Sequence, residues 1–471
     1  MTELSKAPGQ PRRFFKLIWA ILVGEERDYT KGSIRLSVVL LAIPMILEMF
    51  GESVFAVVDM FFVGKLGNEA LATVGLTESV LSIIYSIAMG MSMAATALVA
   101  RRVGEKNYKE AAHAGMQVIL LAVVLSIILS VTGVCFARSI LHAMGATPHM
   151  IAENIRYTQI MYGCNLVIML LFLINGIFRG AGDAAIAMHS LLISNAFNII
   201  LCPVLIFGFG PVPAFGIEGA AIATTTGRGI GVLYQVYRLF IRRGLLHFYA
   251  SQLKPHAELL WQIVKVGSTA AIQFLVTSGS WIFLARLVSS FGVAPMAGYQ
   301  VAVRLLIFFV LPAWGMSNAA ATLTGQNLGA SQPGRAEKSV WITAGYVTIF
   351  MLCVTLICCI LGEPIVSFVN KDPGARHFAV QALRIVSLSY LFFGVEMVML
   401  NAFNGAGDTG TPTLVYFVGF WLFQIPLAWI LSQYYIREPM GIFIAIVISQ
   451  FVTAVLAYYL FKRGKWKLVK V

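Results

Sequence analysis

The chain of 471 residues predicts an all-α polytopic membrane protein, with twelve transmembrane helices in two pseudo-symmetric six-helix lobes. Three observations carry that prediction. Hydrophobic residues make up 59% of the chain and charged ones 12%, against roughly half and a quarter in soluble domains. Apolar runs long enough to cross a hydrocarbon core of about 30 Å recur along the whole length. The chain also repeats itself: GMSMAATALVARRVG begins at Gly90 and GMSNAAATLTGQNLG at Gly315, while FRGAGD begins at Phe178 and FNGAGD at Phe403. Both pairs are offset by the same distance, 315 − 90 = 225 and 403 − 178 = 225. Two unrelated motif pairs with one offset point to a duplicated six-helix unit.

The apolar runs fall at about 34–63, 69–100, 112–136, 152–178, 185–209, 218–241, 259–289, 294–324, 337–362, 377–403, 412–435 and 440–462. Lys and Arg gather on one side: Arg12, Arg13, Lys16, Arg27, Lys31 and Arg35; Arg101, Arg102, Lys106 and Lys109; Arg238, Arg242, Arg243 and Lys254; Arg335 and Lys338; and Lys462, Arg463, Lys465, Lys467 and Lys470. Positive-inside bias therefore places both termini in the cytoplasm and the chain in the inner (plasma) membrane. The resulting division is a cytoplasmic segment 1–33, an N-lobe 34–241, an inter-lobe loop 242–258, a C-lobe 259–463 and a basic tail 464–471. An even-helix repeat gives lobes related by an axis along the membrane normal, with the cleft between them as the default substrate site.

The net charge of +13 does not indicate a nucleic-acid partner, because the bases lie in loops between spans instead of forming one solvated face. Cys135, Cys164, Cys202, Cys353, Cys358 and Cys359 lie in or beside apolar runs without zinc spacing and read as small core residues. Phe14–Val23 is too short to span and has no cleavage site after it, so an interfacial helix is expected. No P-loop, GxSxG, HExxH or metal-type His and Cys spacing is present, so neither an enzyme nor a metal or organic cofactor is expected. Lacking a nucleotide-binding motif, a pump of this kind draws on an ion gradient or on a separate partner. The expected partners are a small-molecule substrate and the lipid bilayer, with the chain acting as a monomer.

Within the first span, Glu48, Glu52 and Asp59 lie roughly on one helical stripe, and a carboxylate at membrane depth costs at least about 2.5 kcal/mol unless paired, protonated or wet. Pro44 removes a backbone hydrogen bond from the same helix and marks a hinge. Adding the repeat offset of 225 carries Asp59 to Leu284, Glu52 to Thr277 and Glu48 to Gln273, so only the first lobe keeps the acids. That asymmetry points to ion or proton handling in the N-lobe. Competing structural partners for Glu52 are Ser53, Thr77 and Ser79. Glu78 and Glu396 are further intramembrane acids, and Arg304 is a candidate partner for Glu396. Asn195 and Asn198 in the fifth span are placed to face Asp59, or else serve as helix–helix glue. Arg286 and Arg304 either pair with acids or mark an anionic contact, and Tyr299 and Gln300 are cleft candidates. Asp183 and Asp408, each following a glycine at a cytoplasmic helix end, read as turn and cap residues.

The duplicated halves, Pro44, VDMFFVGKLG around Asp59, the GMSMAATALVARRVG and FxGAGD copies, and FGIEGAAIAT at Phe215–Thr224 together resemble the multidrug and toxic compound extrusion (MATE) family. The likeness runs from Lys31 to Phe461. It implies a V-shaped pair of six-helix bundles exporting organic, often cationic compounds in exchange for protons or sodium. In one prokaryotic branch a helix 1 aspartate works with a helix 5 asparagine and aspartate and a helix 6 threonine. Asp59, Asn198 and Thr224 match three of these, but Cys202 stands where the second aspartate belongs. A buried thiol is neutral and does not replace a carboxylate, which leaves Glu48 or Glu52 as the compensating acid. Another branch uses a helix 7 glutamate, where this chain offers only Gln273 and Thr277, both assigned to the substrate cleft. The resulting expectation is an antiporter for amphipathic, cationic small molecules. The alternatives are a lipid-linked oligosaccharide flippase of the wider superfamily, which calls for more cleft bases, and a receptor or scaffold without transport.

Overall fold

A computed structural model describes residues 27–241, 244–369 and 372–469, together with positions 19, 22 and 24. The interfacial helix expected at Phe14–Val23 lies almost wholly outside the described residues, as do Arg12, Arg13, Lys16, Arg242, Arg243 and Lys470. Every apolar run becomes helix. In the N-lobe these are α1 (Ile34–Gly64), α2 (Asn68–Gly104), α3 (Tyr108–Ala143), α4 (Pro148–Gly163) with α5 (Asn165–Ala181), α6 (Ala184–Phe207) and α7 (Ile217–Phe240). In the C-lobe they are α8 (Ala257–Ser289), α9 (Val293–Gly329), α10 (Pro333–Val369), α11 (Pro373–Ser387) with α12 (Tyr390–Ala406), α13 (Gly410–Tyr435) and α14 (Met440–Lys462).

The fourth and tenth spans are each built from two pieces, breaking at Cys164 and at Ser389, again 389 − 164 = 225 residues apart. The α11–α12 pair bends by 52°. α7 is the most polar span, carrying Glu218, Arg228 and Arg238, yet its 24 residues reach about 36 Å. In α13 the winding widens to π-helix at Phe417–Gln424 and Leu431–Tyr435, on either side of the turn that holds Pro426, whose missing N–H disrupts the regular ladder. FxGAGD is a helix stop in both copies. Gly182 and Gly407 take the left-handed conformation at φ +91° and +88°, and Asp408 then accepts from the Thr411 N–H and hydroxyl at 3.1 and 2.7 Å.

Two large apolar cores form, one between Val63 and Ile263 and the other between Leu284 and Trp466. A smaller cluster joins them, packing Val38, Leu41 and Met45 of α1 against Ala319 and Leu323 of α9. The seam between lobes is made by glycines. A Cβ on Gly90 would lie 2.4 Å from the Ala271 nitrogen and one on Gly315 2.3 Å from the Met45 oxygen. Likewise Gly104 would strike the Gln326 oxygen at 2.0 Å and Gly329 the Arg101 oxygen at 2.1 Å. These contacts are reciprocal under the repeat, since 329 − 104 and 326 − 101 both equal 225. The seam is therefore a pseudo-twofold contact of bare backbone.

All of it lies toward the end that carries the basic loops. There α2 from Ala94 to Ala100 and α9 from Ala319 to Leu328 are buried at every position, as helices covered by both lobes must be. Toward the other end burial becomes one-sided: Val54, Val57 and Phe61 of α1 and Val293 and Ile307 of α9 are exposed. The lobes thus close at the basic end and part at the other, giving the V-shaped cleft. Straps reinforce the closed end, where Arg335 donates to the carbonyls of Gly32 (2.9 Å), Lys31 (3.0 Å) and Tyr29 (3.2 Å) and Lys106 pairs with Asp28 at 2.8 Å.

Candidate functional site

Charge inside the N-lobe gathers on four helices. α1 supplies Glu52 and Asp59, α2 supplies Glu78 and Tyr85, α6 supplies Asn195, Asn198 and Cys202, and α7 supplies Thr224 and Arg228. Spacings of three, four or seven residues put each helix's contributors on one face. At the centre is Arg228, whose side chain is only 5% exposed. Its Nη2 donates to Glu52 Oε1 at 2.9 Å, and its guanidinium carbon lies 5.2 Å from the Phe55 ring and 5.5 Å from that of Tyr85. Planar stacking on aromatics with a fork toward a carboxylate is what distinguishes Arg from Lys. Nη1 of the same group is buried without a hydrogen-bond partner, and Asp59 and Glu78 both lie within Coulomb range of it.

The Cys202 thiol approaches Asp59 Oδ1 at 3.9 Å, so the sequence-matched position does face the aspartate but brings a weak donor in place of a second acid. Asn198 Nδ2 donates to Thr224 Oγ1 at 3.1 Å, while Asn198 Oδ1 and Asn195 Nδ2 are buried and unpaired. With every carboxylate ionised, Glu52, Glu78 and Asp59 against Arg228 leave two uncompensated negative charges. The three acids are only half-buried, and that excess calls for protons, a cation or solvent beside it.

Glu48 belongs to a separate network. It accepts from Asn175 Nδ2 at 3.1 Å and sits 3.7 Å from Arg179 Nη1, and Asn175 in turn accepts from Ser190 at 3.1 Å and Gln235 at 2.6 Å. Neither Glu48 nor Glu52 hydrogen-bonds Asp59 in this arrangement, because each is engaged by its own arginine. The suggested partners of Glu52 are also committed elsewhere: Ser53 to the Met49 carbonyl, Thr77 to Thr158 and Ser79 to the Gly75 carbonyl.

Several cleft expectations need correction. Tyr299 is buried inside the C-lobe, stacked on Phe443 with centroids 6.2 Å apart, because it sits on the inner face of α9 while Gln300 turns outward. Glu396 is fully buried between α12 and α14 and accepts from Gln450, so Arg304 is not its partner. Arg286, Gln300 and Arg304 are exposed on α8 and α9. Thr277 Oγ1 donates to the Gln273 carbonyl at 2.9 Å, and Gln273 Oε1 is buried and unpaired. Pro44 lies inside an unbroken α1 at the lobe seam. Sequence reasoning missed Arg228 and Arg179. An arginine in mid-span, four residues after Thr224, was the available signal for the first.

Two parallel six-helix lobes around a cleft, with a cluster of charged groups inside the N-lobe, have the architecture of a membrane transporter. Comparison with known proteins makes this specific. The MatE family model matches residues 44–204 and again 269–430, its two matches starting 269 − 44 = 225 residues apart. The chain belongs to the multidrug and toxic compound extrusion family. It is 26% identical to the probable multidrug resistance protein YoeA of Bacillus subtilis, over 93% of this chain and 95% of that one. It is 25% identical to the probable multidrug resistance protein NorM of Thermotoga maritima, over 92% and 93%. A FAD transporter of Shewanella oneidensis is 25% identical, with 87% of this chain and 90% of that one covered. Among solved structures, a MATE crystal structure in the straight conformation superposes with a TM-score of 0.88 at 24% identity, over 93% of this chain and 98% of the other. An outward-facing MATE family transporter gives 0.88 at 24% identity, over 94% and 98%.

Proposed function

We propose that this protein is a proton-driven antiporter that exports amphipathic, cationic small molecules across the inner membrane, with its basic end and both termini in the cytoplasm. The observation that carries the reading is Arg228 held among Glu52, Glu78 and Asp59. A sodium ion needs several oxygen ligands around it, and here one candidate ligand is Cys202 while a fixed guanidinium already occupies the cluster. Protons have no such requirement, and two of them neutralise the excess charge on the three acids. A cationic substrate does the same, so substrate and protons compete for the acids and exchange for one another. The naming of the relatives YoeA and NorM as multidrug resistance proteins supports the substrate class. Closure at the basic end corresponds to an outward-open state, in which the acids load protons from outside; bending of α1 at Pro44 then accompanies the switch.

The test is transport of a fluorescent organic cation in proteoliposomes with proton and sodium gradients imposed separately. The proton gradient is expected to drive it. Sodium-driven export at fixed pH, with no response to a proton gradient, would overturn the reading.

A further inference from the structure

We propose that a cavity on the pseudo-twofold axis, at the floor of the cleft, binds the carboxylate of amphoteric substrates. The cavity measures about 40 Å³, room for roughly three water-sized groups and so for one carboxylate head. Arg179 from the N-lobe and Asn404 from the C-lobe both line it, and these are repeat equivalents, since 404 − 179 = 225. The two differ in what they lack. Arg179 Nη2 donates to Ser92 Oγ at 3.0 Å, but its Nη1 stands 3.7 Å from Glu48, beyond hydrogen-bond range. Asn404 is 2% exposed, and both its Nδ2 and its Oδ1 are buried with no partner. A buried amide with neither end satisfied costs about 1–3 kcal/mol per missing bond unless a ligand or water supplies it.

Half-buried Asn318 adds a further amide to the same cavity. Donors therefore converge from both lobes on one small volume, with a guanidinium among them, which is the chemistry that recognises a carboxylate. Above this polar floor the walls are Met49, Phe274 and Trp314, soft and aromatic surfaces suited to the apolar body of the same molecule. Among the described residues, Glu48 is the acid that faces Arg179. Its Oε1 is held by Asn175, and removing its charge would free Arg179 for the ligand. The second lobe's counterpart of the Arg179–Glu48 pair is Asn404 with Gln273, so no second acid opposes the anion from that side.

The inference rests on the transport reading only in treating the ligand as a substrate. It is tested by binding to the purified full chain in nanodiscs, measured as fluorescence anisotropy with rhodamine B, which has a free carboxylate, and with its ethyl ester, which does not. Wild type should bind the acid more tightly than the ester. Asn404→Asp, which aims a negative charge into the cavity, should weaken the acid by about tenfold or more and leave the ester bound, consistent with losing a charge-assisted contact. The double variant Arg179→Gln/Glu48→Gln, which removes the pair without leaving a lone charge, should do likewise. Glu48→Gln alone should tighten the acid and not the ester, a response that a merely structural cavity would not give. Equal affinity for acid and ester, unchanged in all variants, would overturn the proposal and leave a water-filled hole. Displacement of rhodamine B by an equal concentration of sodium acetate would also overturn it, reassigning the cavity to small anions. Failure of gradient-driven export would sink the antiporter and not this result, because the readout is equilibrium binding.

Discussion

The two lobes are built on one plan and differ where charge is concerned. Positions 225 residues apart in the repeat pair Asp59 with Leu284, Glu52 with Thr277, Glu78 with Val303 and Arg228 with Thr453. Each charged member of the N-lobe cluster thus meets a neutral residue in the C-lobe. Meanwhile the backbone seam, the broken fourth and tenth spans and the glycine helix stops are retained in both copies. Duplication kept what packs and let what titrates diverge. The second lobe fills the equivalent space with neutral hydrogen bonds, such as Gln424 to Ser449 at 2.8 Å and Thr453 to the Ser449 carbonyl at 2.7 Å.

The sharpest way to break this contrast is at its extreme. Asp59→Asn is expected to abolish gradient-driven export while the purified protein stays folded, whereas Leu284→Met at the paired position, a volume-conserving change in the buried C-lobe core, should leave export within about twofold. Comparable losses from both would mean the lobes share the work. Next comes the buried ion pair. Arg228→Met strands Glu52 and should cost about 3–5 kcal/mol, seen as a lower thermal midpoint, and adding Glu52→Met should restore most of it. An unaltered midpoint in the single variant would remove Arg228 from the centre of the cluster. The seam offers a symmetric control. Gly104→Ala and Gly329→Ala each push a methyl into a facing carbonyl, and each should cost about 1–3 kcal/mol; a penalty at one site only would contradict the pseudo-twofold contact. The smallest effect is expected from Cys202→Asp, which sets a second carboxylate beside Asp59 and should add a modest stimulation of transport by sodium, measured at constant pH.

Much of the architecture was legible in the residues. Twelve apolar runs located twelve helical spans to within about seven residues at either end, since a bilayer allows few other readings of such stretches. The constant offset of 225 marked the duplication, but which glycines face which backbone across the seam was not legible in it. Pairing across helices was not legible. Glu48 and Glu52 share a helical face, yet one meets Arg179 on α5 and the other Arg228 on α7, a choice made by packing between segments more than a hundred residues apart. Tyr299 and Gln300 show the converse, adjacent in sequence and turned to opposite environments by the roughly 100° step of a helix. Arg228 was visible as a charge in mid-span, but only the rings of Phe55 and Tyr85 on either side of it explain how a guanidinium is tolerated there.

The glycine seam also bears on speed. Where helices meet through side chains, every closure must immobilise rotamers, at up to about 1.5–2 kcal/mol for a long flexible one. At Gly90, Gly104, Gly315 and Gly329 the glycine carries no side chain and the nearest atom it faces is backbone, so at these four points the lobes meet ribbon to ribbon. Opening and closing this end therefore exchanges van der Waals contact for lipid or water with little rotameric disorder to gain or lose. The gate's barrier should accordingly depend weakly on temperature through entropy, and its rate should be set by how fast whole helices move through the bilayer.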